Sequence, residues 1–295
     1  MKDVIYEFLD YIMVEKNYSD YTETNYEIDL FKYEKYLNDH KLNYLTIKYK
    51  DISNFIGYLN KSGYKSSTIN RIISALKSFY SYLEITHKIK NNPFSLVSSL
   101  KREKRLPNYF KYQEFELMLE CLSDDDLGIR NRLIIELLLA TGIRVSELVN
   151  IKLNDIDINN GEIRIMGKGK KERIVYFKDY SKEALNNYLN NARNNLLNGK
   201  DSDYLFINNN GTNLTDRGVR LIIDNIVRKS SIKSKVSPHT FRHTFATIML
   251  NEGCNIKSVQ ELLGHSSLST TGIYTHLTNE EVRREYLKAH PRARE

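Results

Sequence analysis

The chain has 295 residues, enough for one large domain or two ordinary ones, and its 41% hydrophobic and 27% charged residues are normal for a soluble globular protein and argue against disorder. Lysine and arginine outnumber the acids 44 to 37, a net charge of +7 that suits a polyanionic partner such as nucleic acid. No apolar run reaches membrane-spanning length, and the start carries acids through its apolar segment with no secretory cleavage site, which predicts a cytoplasmic protein.

The first ninety residues predict a compact helical unit. Val4, Ile5, Phe8, Leu9, Ile12 and Met13 recur at helical spacing. Ser19 and Thr22 offer caps for a second helix carrying Tyr26, Leu30, Tyr33 and Leu37. A third helix spans about 49–59 and ends at "KSGYKSS"; a fourth carries Ile69, Ile72, Ile73, Leu76, Phe79, Tyr80 and Leu83, with Arg71 and Lys77 off the stripe. Four short helices with outward basic residues fit a DNA-gripping module, and equally any small helical domain. Residues 91–107 hold two of the four prolines, a serine cluster and the basic run Lys101 to Arg105, which marks a linker.

The remainder, 108–295, forms a larger domain. Helices are predicted around 113–121, from Gly128 to a stop at Gly142, and through "VSELVNI". The period then changes: "GEIRIM" and "ERIVYF" alternate, flank "GKGKK" and predict a β-hairpin. Helix returns at about 182–197, 215–228 and 240–251, in "NIKSVQELLG", and in a tail after Thr278. The fold class is therefore mainly α with a small antiparallel β-sheet. Cys121 and Cys254 stand far apart, in no metal-ligand spacing, and read as buried thiols of a reducing compartment.

Chemistry-bearing groups gather at abrupt boundaries. In "SPHTFRHTFAT", His239, Arg242 and His243 share one helix face, a crowding of positive charge that calls for an anion. Arg144 follows a glycine break, Lys168, Lys170 and Lys171 occupy the hairpin turn, His265 follows Gly264, and Tyr274 lies beyond. Each has a plainer reading alone: Arg144 pairs with Glu147 one turn on, a hairpin tip is basic because it is exposed, and a histidine after glycine is a cap. His239, His243, His265 and His276 lack a cysteine or acid at ligand spacing, and Arg242 would repel a cation, so no metal is predicted. "GKGKK" precedes a strand and is not a nucleotide loop, so no cofactor is predicted either. Together the groups suit attack on a phosphodiester: arginines answer charge on the non-bridging oxygens, a lysine protonates the leaving oxygen, and cations help a tyrosine lose its proton.

The stretches "ATGIRVSEL", "GKGKKER", "HTFRHTFAT" and "LLGHSSLSTTGIYTH", with the closing "AHPRA", carry a further signal. Over essentially its whole length the chain resembles the tyrosine recombinase (phage integrase) family, most closely the bacterial Xer recombinases. The resemblance implies a SAM-like DNA-binding domain at 1–90, a linker at 91–107 and a catalytic domain at 108–295. It implies catalytic Arg144, Lys168, His239, Arg242 and His265, with Tyr274 as nucleophile. His243 is left to support packing. Phe241 stands where leucine is usual and Gly272 where a longer side chain is common, and Lys170 and Lys171 leave open which lysine donates the proton. The implied reaction is site-specific recombination of double-stranded DNA at inverted-repeat sites, through a 3′-phosphotyrosyl intermediate, without ATP or metal. Implied partners are further recombinase protomers, in a homo- or hetero-tetramer on two sites, and a DNA translocase, with no membrane. "NEEVRREYLKA" is either a helix docking on a neighbour or a self-packed tail. The implied role is resolution of chromosome or plasmid dimers. The alternatives are a mobile-element integrase or DNA invertase, a type IB topoisomerase, or a catalytically silent DNA binder.

Overall fold

The computed structural model describes residues 1–16, 18, 20–101, 109–167, 171–264 and 278–293. The chain divides into two compact units, Met1–Lys104 and Arg105–Glu295.

The first unit is built from α1 (Lys2–Val14), α2 (Asp20–Asp39), α3 (Tyr49–Lys61) and α4 (Ser66–Ile85). Helix α1 buries Ile5, Phe8, Leu9 and Ile12, and α4 buries the whole predicted stripe from Ile69 to Leu83. Aromatic rings fill the space between them: Phe8 meets Phe79 edge to face at 5.5 Å. Buried hydroxyls find partners, Tyr33 with Tyr80 at 3.0 Å and Tyr80 with the Tyr44 carbonyl at 2.9 Å. Asp29, fully buried on α2, lies 2.7 Å from Nη1 of the partly exposed Arg71 on α4, so this arginine bridges from the surface to a buried carboxylate.

The first unit also extends beyond its predicted end. Phe94 and Val97 are buried in its core, and the Asn70 carboxamide bonds both the carbonyl (3.0 Å) and the amide (2.8 Å) of Leu100. The Pro, Ser and Asn content around 91–100 encodes turns, and these turns are pinned by two apolar anchors too few to show a period.

In the second unit the elements are α5 (Tyr112–Glu120), α6 (Asp126–Thr141), α7 (Val145–Val149), β1 (Ile156–Asp157), β2 (Glu162–Met166), β3 (Glu172–Tyr176), α8 (Asp179–Asn187), α9 (Arg193–Leu197), α10 (Asp216–Lys229), α11 (Pro238–Asn251), α12 (Ile256–Leu263) and α13 (Asn279–Ala289). A π-helical turn, Tyr188–Ala192, joins α8 to α9. Helix α6 is buried on every side from Leu133 to Thr141, as an all-round apolar helix must be. Asp125 caps it by accepting from the Gly128 amide at 2.7 Å, and Gly142 ends it at φ +61°. The sheet runs β1-β2-β3, antiparallel, with Ile163 opposite Val175 and Ile165 opposite Arg173. Strand β1 is two residues long, below the reach of any periodicity.

The tail packs on its own chain. Tyr286 of α13 is fully buried between Tyr176 (5.9 Å) and His290 (5.3 Å), and His290 Nε2 lies 3.2 Å from the Leu139 carbonyl. Among the described residues no helix is long and apolar enough to cross a membrane. Cys254 is buried and Cys121 half-buried, and both are free thiols.

Candidate active site

Two helices end on left-handed glycines beside one another. Gly142 closes α6 at φ +61°, and Gly264 closes α12 at φ +63°. Carbonyls at such ends have no partner within the helix and carry partial negative charge. Arginines from other elements take them. Arg242 donates from Nη1 to the Gly142 carbonyl at 2.9 Å and from Nη2 to the Leu263 carbonyl at 2.5 Å. Arg173 donates from Nε to Leu262 at 3.0 Å, and Arg144 from Nη2 to Gly264 at 3.4 Å.

The start of α11 sets the aim of the next groups. Ser237 caps it through a reciprocal pair, its hydroxyl accepting from the Thr240 amide at 3.3 Å while Thr240 Oγ1 accepts from the Ser237 amide at 3.0 Å. Pro238 occupies the first helical position, where its missing N–H costs nothing. His239 is thereby held exposed at the helix start, with Arg242 buried one turn on. His243 is exposed on that helix, so the expected packing role does not hold. One turn along, its face points to solvent, and Phe241 and Phe245 do the packing.

Glu147 organises the cations from beneath. It is buried and accepts from the Arg144 amide (2.7 Å) and Arg144 Nη1 (2.8 Å), and from both Nη atoms of Arg173 (2.9 and 2.8 Å). Burial alone would raise its pKa; the Arg173 bonds and charge, with Arg144, outweigh that and hold it below the carboxylate range. Desolvation first, then the neighbouring Arg144 charge, push Arg242 down to about 10, which leaves it cationic at neutral pH. At His239, desolvation leads and positive charge from Arg220, His243, Arg242 and Arg144 adds, so its pKa falls below the ordinary value and the neutral imidazole is favoured.

Arg144, His239 and Arg242 are thus brought together, though they lie on the starts of α7 and α11, about a hundred residues apart in sequence. Lys168, His265 and Tyr274 lie outside the described residues, as do Lys170 and His276. The Gly167 amide donates to the Lys171 carbonyl at 2.8 Å, and Lys171 is exposed. The i+3 pairing of Arg144 with Glu147 is real and is part of the site. Arg173 was missed. Its signal was an arginine opposite Ile165 on the buried face of a strand, where a cation needs a buried partner. Among the described residues no cluster of His, Cys, Asp or Glu could hold a metal ion. The exposed part of Arg144 (side chain 37% accessible), with Arg242 and His239, offers converging donors to an anion with tetrahedrally arranged oxygens.

Comparison with known proteins shows the family. The phage integrase family model matches residues 108–281, and that of the phage integrase N-terminal SAM-like domain matches residues 5–86. Tyrosine recombinase XerC of Staphylococcus epidermidis is 41% identical over 288 residues, covering 97% of both chains. XerC of Staphylococcus haemolyticus is 40% identical over 295 residues, covering 100% of this chain and 99% of its own. Among solved structures, XerH site-specific recombinase bound to its difH substrate in a pre-cleavage complex superposes with a TM-score of 0.68 at 27% identity, covering 89% of this chain and 78% of that one. The chain belongs to the phage integrase family. Its activity is that of an Xer-type site-specific tyrosine recombinase, which breaks and rejoins DNA strands.

Proposed function

We propose that the chain exchanges strands between two duplex DNA sites, using Tyr274 as nucleophile, and that it serves resolution of chromosome or plasmid dimers. The observation that carries the chemistry is the convergence of Arg144, Arg242 and His239 on one partly exposed, cationic surface beside the ends of α6 and α12. The units Met1–Lys104 and Arg105–Glu295 each contact the duplex. The difH substrate bound by the site-specific recombinase XerH supports a recombination site as the substrate class.

In this reading the Tyr274 oxygen attacks the scissile phosphorus, forming a phosphotyrosyl bond as the phosphorus–5′-oxygen bond breaks. Arg144 and Arg242 donate to the non-bridging oxygens, where charge accumulates. His239 adds a donor or relay at the same phosphate, and His265 assists removal of the tyrosine proton. Lys168 protonates the leaving 5′-oxygen. The 5′-hydroxyl of a partner strand then attacks the same phosphorus and returns the tyrosine, so that no bond energy is lost and no ATP is needed. Further protomers complete the two-site complex as a tetramer, and a translocase that brings sites together fits the dimer-resolution role. The near full-length identity to XerC supports that role over integration or inversion.

The test uses a nicked suicide duplex whose site is selected by this chain from random-sequence DNA. Wild-type protein should accumulate a covalent complex, while Tyr274→Phe binds the same duplex and accumulates none. Covalent complex in the variant at the wild-type level would end the assignment.

A further inference from the structure

Glu147 has more cations around it than its own charge requires. Donors from Arg144 (amide 2.7 Å, Nη1 2.8 Å) and from Arg173 (Nη1 2.9 Å, Nη2 2.8 Å) fill the acceptor sites of one carboxylate. The Arg173 half is the forked arrangement, two parallel N–H bonds to two oxygens, which fixes orientation as well as distance. Arg144 gives Glu147 one Nη and turns the other towards the Gly264 carbonyl.

Arg173 is poorly placed to meet DNA itself. Its side chain is 13% accessible against 37% for Arg144, and each of its three nitrogens donates within the protein, Nε going to Leu262. Burying a second cation against a carboxylate that already has a partner brings a desolvation cost, so stability alone is weak grounds for it. Charge gives a better one. Arg144 with Glu147 alone is a neutral pair, and a neutral pair attracts a phosphate weakly. With Arg173 added the group carries one net positive charge, and the exposed member of the group is Arg144.

We propose that Arg173 is a positioning residue for the recombination reaction: it takes up the charge of Glu147 and holds that carboxylate in place, so that Arg144 keeps its own charge and aim for the scissile phosphate. This rests on the reading above that Arg144 faces the phosphate. The placement extends the effect beyond one neighbour. Arg173 is the second residue of β3, a few residues after Lys168 in sequence, and it grips the last turn of α12, two residues before Gly264. One guanidinium therefore links the hairpin, the start of α7 and the helix end that precedes His265.

The experiment measures single-turnover formation of covalent complex on the selected nicked duplex, and separately the affinity for that duplex. Arg173→Gln should slow covalent-complex formation roughly 10–100-fold, the range for loss of an outer partner of a catalytic group, with affinity little changed. Adding Glu147→Gln should then recover much of the rate, because a neutral carboxamide still caps α7 and no longer cancels the charge of Arg144. A purely structural role predicts that the double variant is at least as slow as the single one, and that result overturns the proposal. So does an unchanged rate in Arg173→Gln beside an impaired Arg144→Gln. Arg173→Lys keeps charge without the fork and serves if the glutamine variant does not fold: it should stay within about tenfold of wild type, and a loss matching Arg144→Gln would overturn the charge assignment. Two controls separate this proposal from its foundation. Failure of wild-type protein to form any covalent complex would refute the recombinase reading itself. Full activity in Arg144→Gln would refute the phosphate role of Arg144, leaving Arg173 with nothing to position.

Discussion

Arg242 meets two backbone carbonyls with two different nitrogens, Gly142 at 2.9 Å and Leu263 at 2.5 Å, while buried almost completely. Lysine cannot reproduce this, since a single ammonium on a flexible stem has no fork to span two fixed acceptors. Arg242→Lys should therefore lose roughly 10²–10³ in cleavage rate, as when one preorganised donor is removed. It should also lose about 1–3 kcal/mol of stability from a buried carbonyl left without its partner. A lysine variant that melts and cleaves like wild type would refute the geometry. The general acid calls for a different probe. With sulfur in place of the bridging 5′-oxygen the leaving group needs little proton donation. Lys168→Ala should then recover cleavage, while Arg144→Ala and Arg242→Ala stay impaired. Rescue of Lys170→Ala or Lys171→Ala instead would move the acid along the turn.

At the scale of elements, the two glycine stops place the site, and Gly142 differs sharply from Gly253. A Cβ at Gly142 would lie 2.5 Å from a Phe245 ring carbon at a backbone φ of +61°. At Gly253 the φ of +82° is equally left-handed, yet nothing lies within 4 Å of the added carbon. Gly253→Ala should lose about 1 kcal/mol from strain. Gly142→Ala should lose about 1–3 kcal/mol more through overpacking, with cleavage falling as the Gly142 carbonyl shifts away from Arg242. Equal melting losses in the two variants would contradict this. Both stops were legible in the sequence, because each glycine directly follows an apolar run. The four N-terminal helices and the hairpin were legible for the same reason, their burial being periodic. Strand β1 was not, being two residues long, nor was the anchoring of Phe94 and Val97, two isolated apolar residues among turn formers. Arg144, His239 and Arg242 could be named because their types and boundaries fit one chemistry. Arg173 escaped notice because a cation inside an alternating strand looks like surface until its partner on α7 is seen.

For the whole molecule, charge governs both stability and binding. Burial pushes Asp29 up to about 6 despite Arg71 and Lys32 nearby, so the folded first unit holds this proton more tightly than the unfolded chain, whose ordinary value is 3.8. Stability contributed by this group is thus full below the ordinary carboxylate value and is lost as pH rises towards 6. At about 1.4 kcal/mol per pH unit, the loss is on the order of 3 kcal/mol. Asp29→Asn should be more stable than wild type at about pH 7, and the gain should vanish near about pH 4. A difference between the two proteins that does not change with pH would refute the assignment. Binding obeys the other sign: with a net charge of +7, affinity for duplex DNA should fall steeply with salt as counterions are released. Neutralising Lys101, Arg102, Lys104 and Arg105 together should flatten that slope if the run tracks the phosphate backbone, and an unchanged slope would assign it to solvent. The arginines at the centre lead to something different. Arg144, Arg173 and Arg242 all donate to main-chain oxygens near Gly142 and Gly264. What inheritance has to preserve there is where two helices stop, since any side chain that lets them stop leaves the same oxygens in place. Random mutagenesis of α6 and α12 should accordingly find many tolerated replacements among the packing residues and almost none at the two terminal glycines.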